Sequence, residues 1–185
     1  MEFSGEHLVT EKEWGTLQVP SDTLHQIRKI VRGIRKNKSG YRALFCGPQG
    51  SGKTLAASLL GKETGNEVYR IDLSMVISKY IEETEKNLSK VFSQAENKNW
   101  ILYFDEADDL FGKRSDIHDA HDNYANQEVA FLLRRIESYN GLVIVAINSH
   151  RNIDEAFAKR FQSIVNFPMP RPEDRYKIWI KSMHP

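Results

Sequence analysis

One cysteine, Cys46, stands in a chain of 185 residues, which excludes an internal disulfide framework. Its place at the end of an apolar run reads as a small buried hydrophobe rather than a reactive thiol. No apolar stretch approaches the ~20 residues that a membrane-spanning helix needs, and the first residues lack the apolar core of a signal peptide. These features predict a cytoplasmic protein. A strong charge of either sign is also missing, because 26 Lys and Arg face 25 Asp and Glu for a net charge of +1. That balance gives no general attraction to nucleic acid or to an anionic membrane. Internal repeats and low-complexity tracts are absent too. What remains is enough for a core. With 40% hydrophobic and 28% charged residues, the composition fits one domain of ordinary size, or one domain with a fragment of a second.

The densest chemical signal is Gly47 to Thr54, GPQGSGKT, which fits G-x-x-x-x-G-K-[ST]. An apolar run (Ala43, Leu44, Phe45, Cys46) precedes it and a segment of helical character (Leu55 to Lys62) follows. That strand–loop–helix context separates a phosphate-binding loop from a glycine-rich turn. Gly47, Gly50 and Gly52 permit backbone turns that aim successive N–H groups at phosphates, and the helix N-terminus adds its dipole. The loop, with Pro48, Gln49, Ser51 and the following Leu55, is expected to hold the phosphates of a nucleotide. Lys53 is expected to reach the β- and γ-phosphates, and the Thr54 hydroxyl to hold Mg²⁺.

Along the chain, residues 1–13 are polar and mixed in charge, which predicts poor order. A helix should then start with Ser21 or Asp22 as its N-cap, with Leu24, Ile27, Val31 and Ile34 on one stripe. Its other face carries Arg28, Lys29, Arg32, Arg35 and Lys36, and a solvated face is favoured there over a nucleic-acid surface. Strands are predicted at 68–71, 100–104, 142–147 and 163–167, and helices around 88–95 and 122–138. Strands alternating with helices predict a parallel α/β sheet that binds ligand at the carboxyl ends of its strands.

Asp105 and Glu106 follow the apolar strand WILYF, so their carboxylates arrive at the edge where the phosphate loop lies. Asp105 is expected to organise Mg²⁺ and Glu106 to deprotonate the attacking water. The pair favours hydrolysis over phosphoryl transfer to a metabolite. Asn148 ends the strand LVIVAI, where its amide can donate to a phosphate oxygen and accept from that water. The bland alternative for Asn148 is a strand-terminating turn. The segment His118-Asp119-Ala120-His121-Asp122 invites a metal reading, but no further ligands at metal spacing support it, and solvated loop or cap residues are preferred. Phosphate-bound Mg²⁺ is the only metal expected.

GPQGSGKT, ILYFDEAD, IVAIN and DEAFAKRF, in this order, resemble the AAA+ ATPases over essentially all of Trp14 to Pro185. The resemblance implies a P-loop NTPase three-layer sandwich, with a parallel five-stranded sheet in the order 5-1-4-3-2 and helices on both faces. It assigns Gly47 to Thr54 to Walker A, Asp105 and Glu106 to Walker B, and Asn148 to sensor 1. Arg160 matches an arginine finger that completes a neighbouring subunit's site, which implies a ring, in this family a hexamer. Ser78 to Leu88 resembles the first pore loop, in which Tyr80, with Lys79 and Ile81, would grip an extended protein client. Two residues depart from the family pattern: Glu82, where relatives commonly have glycine, and Lys159, where many have arginine. The large subdomain would span 14–170, and 171–185 would begin a helical lid. The segment from Gly112 to Glu137 is similar to a bacterial branch associated with phage-tail-like contractile injection systems. The expected activity is thus Mg²⁺-dependent ATP hydrolysis that remodels a protein. A nucleotide-gated scaffold with negligible turnover, or a nucleic-acid motor using the basic stretch 28–42, are the competing readings.

Overall fold

Strict alternation inside the apolar strands sends their side chains into two separate cores. The computed structural model describes residues 5–37, 39–111, 120–149, 153 and 155–183. Strands are β1 (Gly5–Leu8), β2 (Tyr41–Cys46), β3 (Val68–Asp72), β4 (Ile101–Asp105), β5 (Leu142–Ile147) and β6 (Ser163–Asn166). Helices are α1 (Ser21–Lys36), α2 (Lys53–Thr64), α3 (Leu73–Val76), α4 (Ile81–Glu96), α5 (Asp108–Phe111), α6 (Ala120–Ser138), α7 (Glu155–Ala158) and α8 (Pro172–Met183). Leu44, Leu102, Phe104, Val143 and Val145 enter one core, which Leu88, Val91 and Phe92 of α4 and Leu132 and Ile136 of α6 cover. Phe45, Ala43, Tyr103, Ile144 and Ala146 enter the other, under Ile27, Ile30 and Val31 of α1 and Ala56, Leu59 and Leu60 of α2. Period 2 in the strands and period 3.6 in the helices thus build three layers. Each fully buried Leu or Ile contributes about 1.5–3 kcal/mol, so these central strands carry much of the stability.

The sheet has six strands in the order β1-β3-β4-β5-β2-β6. This corrects the expected five-stranded, all-parallel sheet. The pairs β2–β5, β2–β6, β3–β4 and β4–β5 are parallel, whereas β1 joins the edge of β3 antiparallel, with Gly5 opposite Ile71 and Leu8 opposite Val68. The expectation of poor order through residue 13 is therefore corrected from Gly5 onward. GEHL has no apolar alternation that could have announced a strand. It is held by backbone pairing, by His7 stacked on Tyr69 at 4.9 Å and by a Glu6–Arg70 ion pair at 3.2 Å.

Helix α1 begins at Ser21 with Pro20 in the N-cap position and no side-chain cap bond, a second correction. Asp22 lies in the first turn, where a carboxylate complements the helix dipole. The basic residues of α1 are exposed, and none of α8 is buried. Tyr176, Trp179 and Met183 of α8 stand in solvent, and Lys181 Nζ donates to the Gly15 carbonyl at 2.9 Å. No helix among the described residues is long and apolar enough to cross a membrane.

Candidate nucleotide site

The loop between β2 and α2 owes its shape to glycine at two kinds of position. Gly50 and Gly52 adopt φ of 79° and 105°, the left-handed region that a Cβ disfavours, and Gly52 is the N-cap of α2. Gly47 is needed for a different reason: a Cβ there would sit 2.1 Å from the Phe167 carbonyl oxygen. The hydroxyl of Ser51 is buried and has no hydrogen-bond partner among the described residues. A loop with an unmatched buried hydroxyl at the N-terminus of a helix is suited to an anion.

Lys53 is buried at the start of α2, where its ammonium donates to the carbonyl of Gly47, to that of Pro48 at 3.2 Å and to Asn148 Oδ1 at 3.3 Å. Burial pulls its pKa below the usual lysine value, although Asp105, Asp108, Cys46 and Glu106 oppose the shift. Cys46 is 1% exposed, and burial pushes its thiol up to about 12, so it is the inert hydrophobe its position suggested.

A cleft of about 270 Å³ opens beside the loop. Gln49, Gly50, Gly52, Lys53, Thr54 and Leu55 form one wall; Asp105, Glu106 and Asn148 come to it from the ends of β4 and β5. Gly47, Pro48 and Ser51 belong to the loop but do not line the cleft. Thr54 Oγ1 is 3.3 Å from the Tyr103 hydroxyl, and it shares the cleft with the Asp105 carboxylate. A hydroxyl and a carboxylate are oxygen donors of the kind a hard cation such as Mg²⁺ takes.

Glu106 has φ 56°, a left-handed conformation that costs a non-glycine residue about 1–2 kcal/mol. Its backbone N–H donates to Asp105 Oδ1 at 2.9 Å. Burial, then repulsion from Asp105, Asp72 and Asp108, raises its carboxyl pKa, and Arg70 partly offsets this. Strain and a more basic carboxylate are both features of a positioned proton acceptor.

Three contributors escaped the sequence reading. Arg70 lines the cleft and binds Asp105 Oδ2 through Nε at 2.8 Å. Tyr103 is fully buried, with its pKa raised by burial. Asp108 accepts the Asn148 backbone N–H on both oxygens, at 3.0 and 2.8 Å. A lone arginine within VYRID and a second aspartate in DEAD were the available signals. Neither type nor spacing shows that parallel pairing brings them beside Asp105 and Asn148.

Two predicted residues lie elsewhere. Arg160 does not line the cleft; it pairs with Glu137 at 2.9 Å on the surface, and Lys159 pairs with Glu155 at 3.3 Å. Tyr80 precedes α4 and is 70% exposed, which counts against a packing role at the start of its helix. His118 and Asp119 of the Asp/His segment, and Asp154 before α7, lie outside the described residues.

A glycine-rich loop between strand and helix, facing carboxylates at the ends of neighbouring parallel strands, defines a P-loop nucleotide-binding α/β domain. The chain belongs to the AAA family, ATPases associated with various cellular activities, which it matches over residues 43–169. It is 37% identical over 131 residues to an uncharacterised AAA family ATPase, y4kL, of Sinorhizobium fredii, covering 70% of this chain and 39% of that protein. It is 32% identical over 136 residues to vacuolar protein sorting-associated protein 4B of Pongo abelii, covering 71% and 31%. The fold superposes on the crystal structure of the FIGL-1 AAA domain in complex with ADP with a TM-score of 0.73 at 22% identity, covering 96% of this chain and 62% of that one. The chain thus spans well under half the length of these two relatives.

Proposed function

We propose that this AAA domain binds ATP with Mg²⁺ and hydrolyses it to drive the remodelling of a protein client. The observation that carries the reading is the convergence of Lys53, Thr54, Asp105, Glu106 and Asn148 on one cleft. The N–H groups of the loop and the α2 terminus cradle phosphate oxygens, and Lys53 neutralises the outer phosphates. Glu106 accepts a proton from water as the new P–O bond forms and the bond to the departing ADP oxygen breaks. Asn148 holds that water and a γ-phosphate oxygen, its backbone fixed by Asp108. Mg²⁺, held by Thr54 and Asp105, would neutralise charge on the phosphates when bound.

The base of the nucleotide fits a second hollow, of about 460 Å³, between Val19 and Pro20 on one side and Pro168 to Arg171 on the other. A Cβ on Gly52 would come within 3.9 Å of Val19, so this hollow adjoins the phosphate loop. The likeness of the fold to an AAA domain crystallised with ADP supports nucleotide binding, without placing the base.

In the whole protein we place the domain in a hexameric ring, with residues 14–170 as the large subdomain and α8 opening a helical lid. Arg160, outside its own cleft and half-exposed, is available to a neighbour's site. Tyr80, exposed with Lys79, is available to a protein strand in the channel. A cytoplasmic setting and the contractile-injection branch are finer readings that rest on the sequence. The deciding experiment is Glu106→Gln in the full-length protein. Nucleotide binding should persist while phosphate release falls roughly 10²–10⁴-fold. Unchanged turnover would remove Glu106 from the chemistry, whereas negligible phosphate release by the wild type would favour a scaffold.

A further inference from the structure

The Asp105 carboxylate is engaged by the protein on both oxygens. Oδ1 accepts the Glu106 N–H at 2.9 Å, and Oδ2 accepts Arg70 Nε at 2.8 Å. The other end of the same guanidinium, Nη1, reaches Glu6 Oε2 at 3.2 Å. Glu6 lies on β1, directly opposite Arg70 in the antiparallel register, and Arg70 lies on β3 beside β4. One arginine is therefore shared between the added edge strand and a carboxylate of the nucleotide cleft, and it lines that cleft itself.

We propose that Arg70 is a positioning residue that sets the Mg²⁺ requirement of the site, and that Glu6 tunes it from β1. This rests on the reading above that Asp105 serves the metal. A fixed cation in hydrogen-bond contact with a carboxylate lowers that carboxylate's attraction for a second cation. It also holds the carboxylate in one orientation, which favours the metal but is outweighed by the repulsion between the two cations. The Asp105 side chain is only 14% exposed, so solvent screens this pair incompletely. Glu6 is 63% exposed and withdraws part of the guanidinium charge, a weaker effect of opposite sign. β1 is thereby part of the site's electrostatics as well as an edge cover.

The test is a Mg²⁺ titration of the affinity of the full-length protein for a fluorescent, non-hydrolysable ATP analogue, which reads binding without turnover. Arg70→Gln should lower the half-saturating Mg²⁺ concentration by about 3- to 30-fold, while Arg70→Lys, which keeps the charge, should stay near wild type. Glu6→Gln should move it the other way, upward by about 1.5- to 3-fold. With Asp105→Asn already present, Arg70→Gln should have no further effect on the Mg²⁺ requirement. A purely structural role would shift the Arg70 and Glu6 variants in the same direction. An unchanged or raised Mg²⁺ requirement in folded Arg70→Gln overturns the proposal. If that variant does not fold, Glu6→Gln decides, and an unchanged or lowered requirement overturns it. Wild-type binding that ignores Mg²⁺ altogether would overturn the metal reading and this proposal together, whereas equal Mg²⁺ dependence in wild type and variants overturns this proposal alone.

Discussion

The ammonium of Lys53 donates to Asn148 Oδ1 at 3.3 Å, across the groove between the loop that follows β2 and the end of β5. These residues are 95 positions apart in sequence. They meet because β2 and β5 pair in parallel with Cys46 opposite Ile147, so both strands end at the same edge. Parallel register thus brings a cation and an amide together in the wall of one cleft.

The two should separate on mutation. Lys53→Ala should abolish tight nucleotide binding, because the lysine acts on the bound phosphates themselves. Asn148→Ala should leave affinity nearly intact and lower kcat by about 10²–10³, the range for losing one well-placed hydrogen-bond donor. Fluorescent-nucleotide binding and steady-state phosphate release on the same preparations check both. Equal losses of binding in the two variants would show Asn148 to be part of the binding wall only.

Tyr80 should be dispensable for the fold. With 70% of its surface in solvent, its replacement by alanine removes little buried area. Tyr80→Ala in the full-length protein should keep basal ATPase and lose its stimulation by, or work on, a protein client. A loss of nucleotide binding in parallel would point instead to a role in ordering α4.

Arg160 is expected to act across a subunit boundary. Its ion pair with Glu137 is surface-exposed, so breaking it costs under about 1 kcal/mol. Arg160→Ala should therefore fold and bind nucleotide normally while turnover falls by roughly 10³–10⁵. Mixing it with Lys53→Ala should restore part of the activity, because one subunit keeps the site and the other supplies the guanidinium. Lys159→Ala should matter less, since an ammonium lacks the planar fork. Full-rate hydrolysis by a chain shown to be monomeric in ultracentrifugation would exclude the shared site.

Cys46 makes an alkaline prediction. Its folded pKa is raised from 9.0 to about 12, so folding favours the protonated thiol. That contribution is complete below pH 9 and is lost as pH rises from 9 towards 12. From pH 8 to pH 10 the loss should be on the order of 1 kcal/mol. Cys46→Ala should flatten this part of a stability–pH profile measured by denaturant unfolding. The folded wild type should also resist iodoacetamide at pH 9, and rapid alkylation of the native protein would contradict the burial.

Local sequence determined much of this protein because its chemistry is packed into short segments. GPQGSGKT carries its own turns and helix start, and LVIVAI, short, β-branched and wholly apolar, reads as a strand buried on both faces. Asp105 and Glu106 follow such a strand, so their delivery to the sheet edge was legible in order alone. Tertiary structure decided what depends on neighbours far apart in sequence. GEHL became a strand through backbone hydrogen bonds to β3, with the His7–Tyr69 stack and the Glu6–Arg70 pair beside them. Arg70 reached Asp105 because β3 lies beside β4 in register, and Asp108 met Asn148 because β4 lies beside β5. The left-handed backbone of Glu106 is imposed where the chain leaves β4 and turns into α5. Spacing in one dimension records which groups follow a strand; pairing between strands settles which of them touch.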